Sequence, residues 1–73
     1  MEFMNRYYVK DCRIPYQKPE IRDLCFGIWG LLAELGAEDM DGFKVARCER
    51  QLDFGMKIRI GHYEVWKDLG AIL

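Results

Sequence analysis

Apolar residues at Ile21, Leu24, Cys25, Ile28, Leu31, Leu32 and Leu35 recur at steps of three and four, and no other pattern in the chain restricts its fold as strongly. The spacing predicts a helix over 19–35. Pro19 suits the first helical position, Glu20 and Asp23 suit the positive end of the dipole, and Gly36 is placed to stop the helix in a left-handed conformation. Gly27 and Gly30 fall inside this span at about 1 kcal/mol each relative to Ala, which points to close approach to a sheet or a second helix. A helix with one apolar face needs another layer to cover it.

Strand-like segments supply that layer. Residues 3–10 (FMNRYYVK) are rich in aromatic and β-branched side chains and precede Pro15 and Pro19, so they read as a first strand. A turn over 39–42 leads to a second strand over 43–50 (FKVARCER). After a further turn at 52–55, Met56, Ile58 and Ile60 alternate with Lys57 and Arg59, the mark of a strand with one buried and one solvated face. Gly61 breaks it, and Val65, Trp66, Leu69, Ile72 and Leu73 then recur at the spacing of a short terminal helix. The expected fold is α+β: a single domain over 1–73 in the order β-α-β-β-α, a two-layer ferredoxin-like or RRM-like sandwich with helices on one face of a short sheet. The crossover through the long helix is right-handed if the strands it joins are parallel. No sequence is left over for a fourth strand.

Composition narrows the function. Seventy-three residues hold one small core, and 51% hydrophobic with 32% charged residues at net charge −1 is a globular balance with no bulk attraction to nucleic acid or membrane. The longest apolar stretch, 24–35, is broken by Gly27, Gly30 and Glu34 and falls short of the roughly 20 residues that span a bilayer. Residues 1–9 lack the apolar run of an export signal, so a cytoplasmic location is expected. Cys12, Cys25 and Cys48 form no C-x-x-C pair and read as reduced packing residues.

Side chains that could do chemistry are sparse. The chain has no serine or threonine, which removes a hydroxyl nucleophile of those types. His62 is its only histidine and reads as a boundary residue rather than a general base. Glu38, Asp39 and Asp41 could hold a hard cation, yet they lack the spacing of a Ca²⁺ loop and read as a solvated turn. The scattered glycines match neither a dinucleotide fingerprint nor a P-loop. No catalytic residue, metal site or cofactor is expected.

If helices cover one face of the sheet, the other is open to a partner. Placing Phe3, Tyr7 and Val9 inward puts Arg6, Tyr8 and Lys10 outward; placing Phe43 and Val45 inward puts Lys44, Cys48 and Arg50 outward; Lys57 and Arg59 complete the face. On this register the face holds no acidic residue, and only Arg47 and Glu49 conflict with the core, a conflict a bulge would relieve. Local cations around an aromatic suit phosphate neutralisation and base stacking. A plainer reading is that they keep an open sheet soluble, and a flipped first strand would expose Phe3, Asn5 and Tyr7 instead. Trp29 and Tyr63, on the flanks of their helices, either extend the core or anchor a protein partner.

Three strings carry a family resemblance: RYYV at 6–9, AELGA at 33–37, and GMKIRI at 55–60 followed by HYEVWKDLGAIL. Together they resemble ribonuclease P protein component 2, the small RRM-like subunit of archaeal and eukaryotic ribonuclease P. The resemblance implies a noncatalytic subunit that assists an RNA enzyme in 5′ processing of precursor tRNA. Arg6, Lys57 and Arg59 would meet RNA, Tyr8 would stack, and the helices would face a larger protein subunit in a hetero-oligomer. Chemistry would belong to the RNA and its Mg²⁺ ions. The rival expectation is a small protein-binding module or inhibitor of phage or mobile-element type that blocks a larger complex.

Overall fold

Six elements follow one another in the computed structural model, which describes residues 5–37 and 41–70. They are β1 (Asn5–Asp11), β2 (Glu20–Leu24), α1 (Ile28–Glu34), α2 (Gly42–Asp53), β3 (Ile58–Ile60) and β4 (Tyr63–Lys67). The strands form one sheet in the order β2-β1-β4-β3, every pair antiparallel. The fold is α+β with two helices and a four-stranded sheet, but the element order is β-β-α-α-β-β. No parallel crossover occurs among the described strands, and a fourth strand does.

Three expected elements change identity. The helix over 19–35 is two structures: its first third is the edge strand β2, which pairs with β1, and only Ile28–Glu34 is helical. Pro19 therefore precedes a strand instead of opening a helix. Gly27, at φ 58, holds the N-cap position of α1, and only Gly30 lies within the helix. Gly36 does what the sequence asked of it. At φ 71 it donates its N–H to Ala33 O at 3.2 Å while Ala37 N donates to Leu32 O at 3.0 Å, the paired bonds of a Schellman stop.

The strand expected over 43–50 is helix α2. Asp41 caps it by accepting from Lys44 N at 2.8 Å, and Gly55 at φ 78 ends it with the same two bonds, to Leu52 O and from Met56 N to Gln51 O. Val45, Cys48 and Leu52, at helical spacing, turn toward the core, so Cys48 points inward and not onto the open face. The expected terminal helix is strand β4. It is joined to β3 by a two-residue turn in which Gly61, at φ 58, supplies the positive φ that a type II′ hairpin needs at its first central position.

Helices lie on one face, as expected. Tyr7 and Val9 of β1, Ile60 of β3 and Val65 of β4 pack beneath Ile28, Leu31, Leu32, Val45 and Leu52. Leu31, Leu52 and Val65 are fully enclosed. Met56, expected inward, is half-exposed. Lys67 Nζ donates to Asp53 Oδ1 at 2.7 Å and ties the end of α2 to β4. Phe3, Ile72 and Leu73 lie outside the described residues. Among the described residues no helix is long and apolar enough to cross a membrane.

Candidate functional site

The face away from the helices is built by strand alternation. Because Tyr7, Val9 and Val65 point inward, Arg6, Tyr8 and Lys10 of β1 and Glu64 and Trp66 of β4 point outward. Register then aligns them: Tyr8 lies opposite Trp66 on one side and Ile21 on the other, Arg6 opposite Asp23, and Glu64 between Lys10 and Arg59. Five of the seven cationic or aromatic residues expected to contact RNA, namely Arg6, Tyr8, Lys10, Lys57 and Arg59, do share this face.

Its charge does not match expectation. Asp23, Glu64 and Asp68 stand among the four cations, so the face is a mosaic. Arg6 donates from Nε to Asp23 Oδ1 at 2.8 Å, a bond that raises its pKa still further and neutralises it. Tyr8 donates its hydroxyl to Asp68 Oδ2 at 3.1 Å, and that bond, followed by burial, raises the phenol above its ordinary value. Lys57 lies 3.7 Å from Glu64 and 4.7 Å from the centre of the Trp66 ring. Trp66 stacks on Tyr8. The sequence reading missed Trp66 by assigning it to a helix stripe; the signal that reveals it is the alternation Tyr63, Val65, Lys67 after the Gly61–His62 turn.

Lys44 and Arg50 are absent from this face because their segment is helical. Arg50 lies in the last turn of α2, where a cation complements the helix dipole. Lys44 instead joins Arg47, one turn along the helix, and Arg59 from the neighbouring edge strand. With Cys48 and Gln51 these three cations line an open groove of about 320 Å³ that contains no carboxylate. None of the three forms an ion pair with a described residue. Arg59 Nε donates to the carbonyl of Gly61 at 3.3 Å, which holds the side chain at the sheet margin. Arg47 is the residue that sequence reasoning missed here, since strand alternation turned it inward while helical spacing sets it beside Lys44.

The two expected partner anchors separate. Trp29 projects from α1 and is 59% exposed. Tyr63 is on β4, half-buried against the core, with the Arg13 guanidinium 5.9 Å from its ring centre. Arg13 in turn donates to Asp11 at 2.8 and 3.0 Å and holds that carboxyl down at about 2. Asp41 is a helix cap, while Glu38 and Asp39 lie outside the described residues. No cluster of three metal-ligating side chains occurs among the described residues. His62 occupies the exposed β3–β4 turn, and its carbonyl accepts from Cys12 N at 2.8 Å. Cys12 and Cys25 are exposed, not packed as expected.

Compared with family models, curated proteins and solved structures, the chain matches none.

Proposed function

We propose that the chain is an RNA-associated protein that contributes binding and no chemistry of its own, and that its phosphate contacts centre on the groove between α2 and β3. The observation that carries this reading is the convergence of Lys44, Arg47 and Arg59, without ion pairs to described residues, on a groove free of carboxylates. Cations already neutralised within the fold release few counterions on binding, whereas unneutralised ones release about one each. Arg59 also borders the open face, so a strand held in the groove could reach the Trp66–Tyr8 row, where bases stack.

The finer fold label, ferredoxin-like or RRM-like, is compatible with the two layers; it supports RNA recognition by analogy alone. The narrower role, assisting 5′ processing of precursor tRNA beside a larger protein subunit, rests on the three strings. RYYV is carried by β1, and GMKIRI ends in β3, but the segment after Ile60, whose spacing suggested a terminal helix, is strand β4. A second reading, a small protein-binding module or inhibitor, draws on Phe26 and Trp29, 82% and 59% exposed beside one another at the start of α1.

Fluorescence titration against a structured RNA hairpin at several salt concentrations tests the first reading. Binding is expected to weaken with salt, and alanine at Lys44, Arg47 or Arg59 to lower the salt slope by about 1 each. Absence of binding at low salt overturns it.

A further inference from the structure

β2 is one margin of the sheet, and its outer edge meets no strand among the described residues. Backbone bonds fix which groups face outward. Arg6 O accepts from Asp68 N and Cys12 N donates to His62 O, so even-numbered residues of β1 address the β4 side. Odd-numbered Tyr7 and Val9 then address β2, and their partners Arg22 and Glu20 spend their backbone groups on β1. Ile21 and Asp23 are left directing N–H and C=O groups away from the sheet, with no strand beyond them among the described residues.

From these observations we infer that a second copy of the chain adds to this edge, antiparallel and centred on Ile21, joining two sheets into one of eight strands. Only this register is complementary. It sets Glu20 opposite Arg22 of the second copy and Arg22 opposite its Glu20, whereas centring on Arg22 or Asp23 brings like charges face to face. Ile21, 55% exposed in the single chain, meets its own copy on the open face. Since Ile21 lies beside Tyr8 and Tyr8 beside Trp66, the contact continues an aromatic row across both sheets. Pro19, lacking an N–H, falls opposite Asp23 and ends the ladder. Glu20 and Arg22 share the helix-facing side of β2, opposite Val9 and Tyr7, and pair at 2.7 Å within the chain; across the seam the same two signs meet again, reciprocal about Ile21.

Sedimentation of the full chain over a range of concentrations tests this, with circular dichroism to verify that each variant is folded. The expected result is a concentration-dependent dimer. Arg22→Glu alone and Glu20→Arg alone should each sediment as monomers, and an equimolar mixture of the two should recover the dimer, because the opposed charges then match only between chains. A monomer at every concentration, a dimer undiminished in either single variant, or a mixture that stays monomeric overturns the inference. Ile21→Lys supplies a further check: it should abolish the dimer while leaving the fold intact, and an unchanged dimer there also overturns it.

Discussion

Tyr8 and Trp66 lie directly opposite each other on β1 and β4, their ring centres 5.6 Å apart and their planes inclined by 19°. The stack sits on the face away from the core, where it is reinforced by Lys57 over the indole. Replacing Trp66 by Leu keeps apolar bulk but removes both ring interactions, and should cost about 1–2 kcal/mol of unfolding free energy. A double-mutant cycle with Lys57→Met isolates the cation–π part: Lys57→Met should be more costly beside Trp66 than beside Leu, as read by urea denaturation. Equal costs in the two backgrounds would mean that the geometry contributes nothing.

Burial makes Tyr7 a source of alkaline instability. The residue is 3% exposed, and burial, followed by the nearby Asp53 and Glu49 carboxylates, pushes its phenol up to about 12. The unfolded chain releases the same proton at about 10. The folded value is the higher, so the stabilisation from the neutral phenol is complete below pH 10 and is lost as pH rises through 12. By linkage the loss amounts to about 2–3 kcal/mol. Tyr8, also raised, titrates in the same direction, so the contrast with Tyr7→Phe is the informative one. That variant should show a shallower decline of stability between pH 10 and 12, and identical slopes would count against a buried Tyr7 phenol.

How far the sequence revealed the fold depends on whether local spacing and strand pairing agreed. Lys57, Ile58, Arg59 and Ile60 alternate cleanly, and the structure places them as read. The segment over 20–24 fails because Ile21 and Leu24 are also three apart, so a helical stripe running from Leu35 absorbs them; only pairing with β1, a nonlocal contact, reveals a strand. Within 43–50, Phe43 and Val45 suggest alternation, while the competing signals, Asp41 as a cap, Val45, Cys48 and Leu52 at helical steps, and Gly55 as a stop, run past both ends of that segment. The open face survived these errors because β1 and β3 were assigned correctly. Its carboxylates did not: Asp23 was read into a helix and Glu64 into no strand, and both belong to strands that face the cations.

The cap on α2 is exposed to a direct test. Asp41 accepts from Lys44 N, one of the four N–H groups a helix leaves without internal partners at its start. Asp41→Ala should destabilise the fold by about 1 kcal/mol, whereas Asp41→Asn, which retains the acceptor, should cost only a few tenths. Thermal unfolding of the two variants separates the hydrogen bond from the charge. If Asn and Ala are equally costly, the carboxylate acts through the helix dipole alone.

Removal of Arg6 and removal of Arg47 should each weaken binding of an anionic partner, but for different physical reasons. Arg6 is committed to Asp23 through two guanidinium contacts at 2.8 and 3.5 Å, and removing it leaves that carboxylate unpaired on the open face. Arg47 has no ion pair with a described residue and lines the groove with Lys44 and Arg59. Affinity for a structured RNA should therefore fall with Arg47→Ala, by a margin that shrinks as salt is raised, because a phosphate contact has been lost. Arg6→Ala should weaken binding as well, but through the carboxylate it uncovers, and Arg6→Ala with Asp23→Ala should restore parental affinity. If the double variant remains as weak as Arg6→Ala alone, Arg6 touches the RNA directly and the binding surface includes the open sheet. Parental affinity in the double variant, with a loss in Arg47→Ala, confines the phosphate contacts to the margin of α2 and β3.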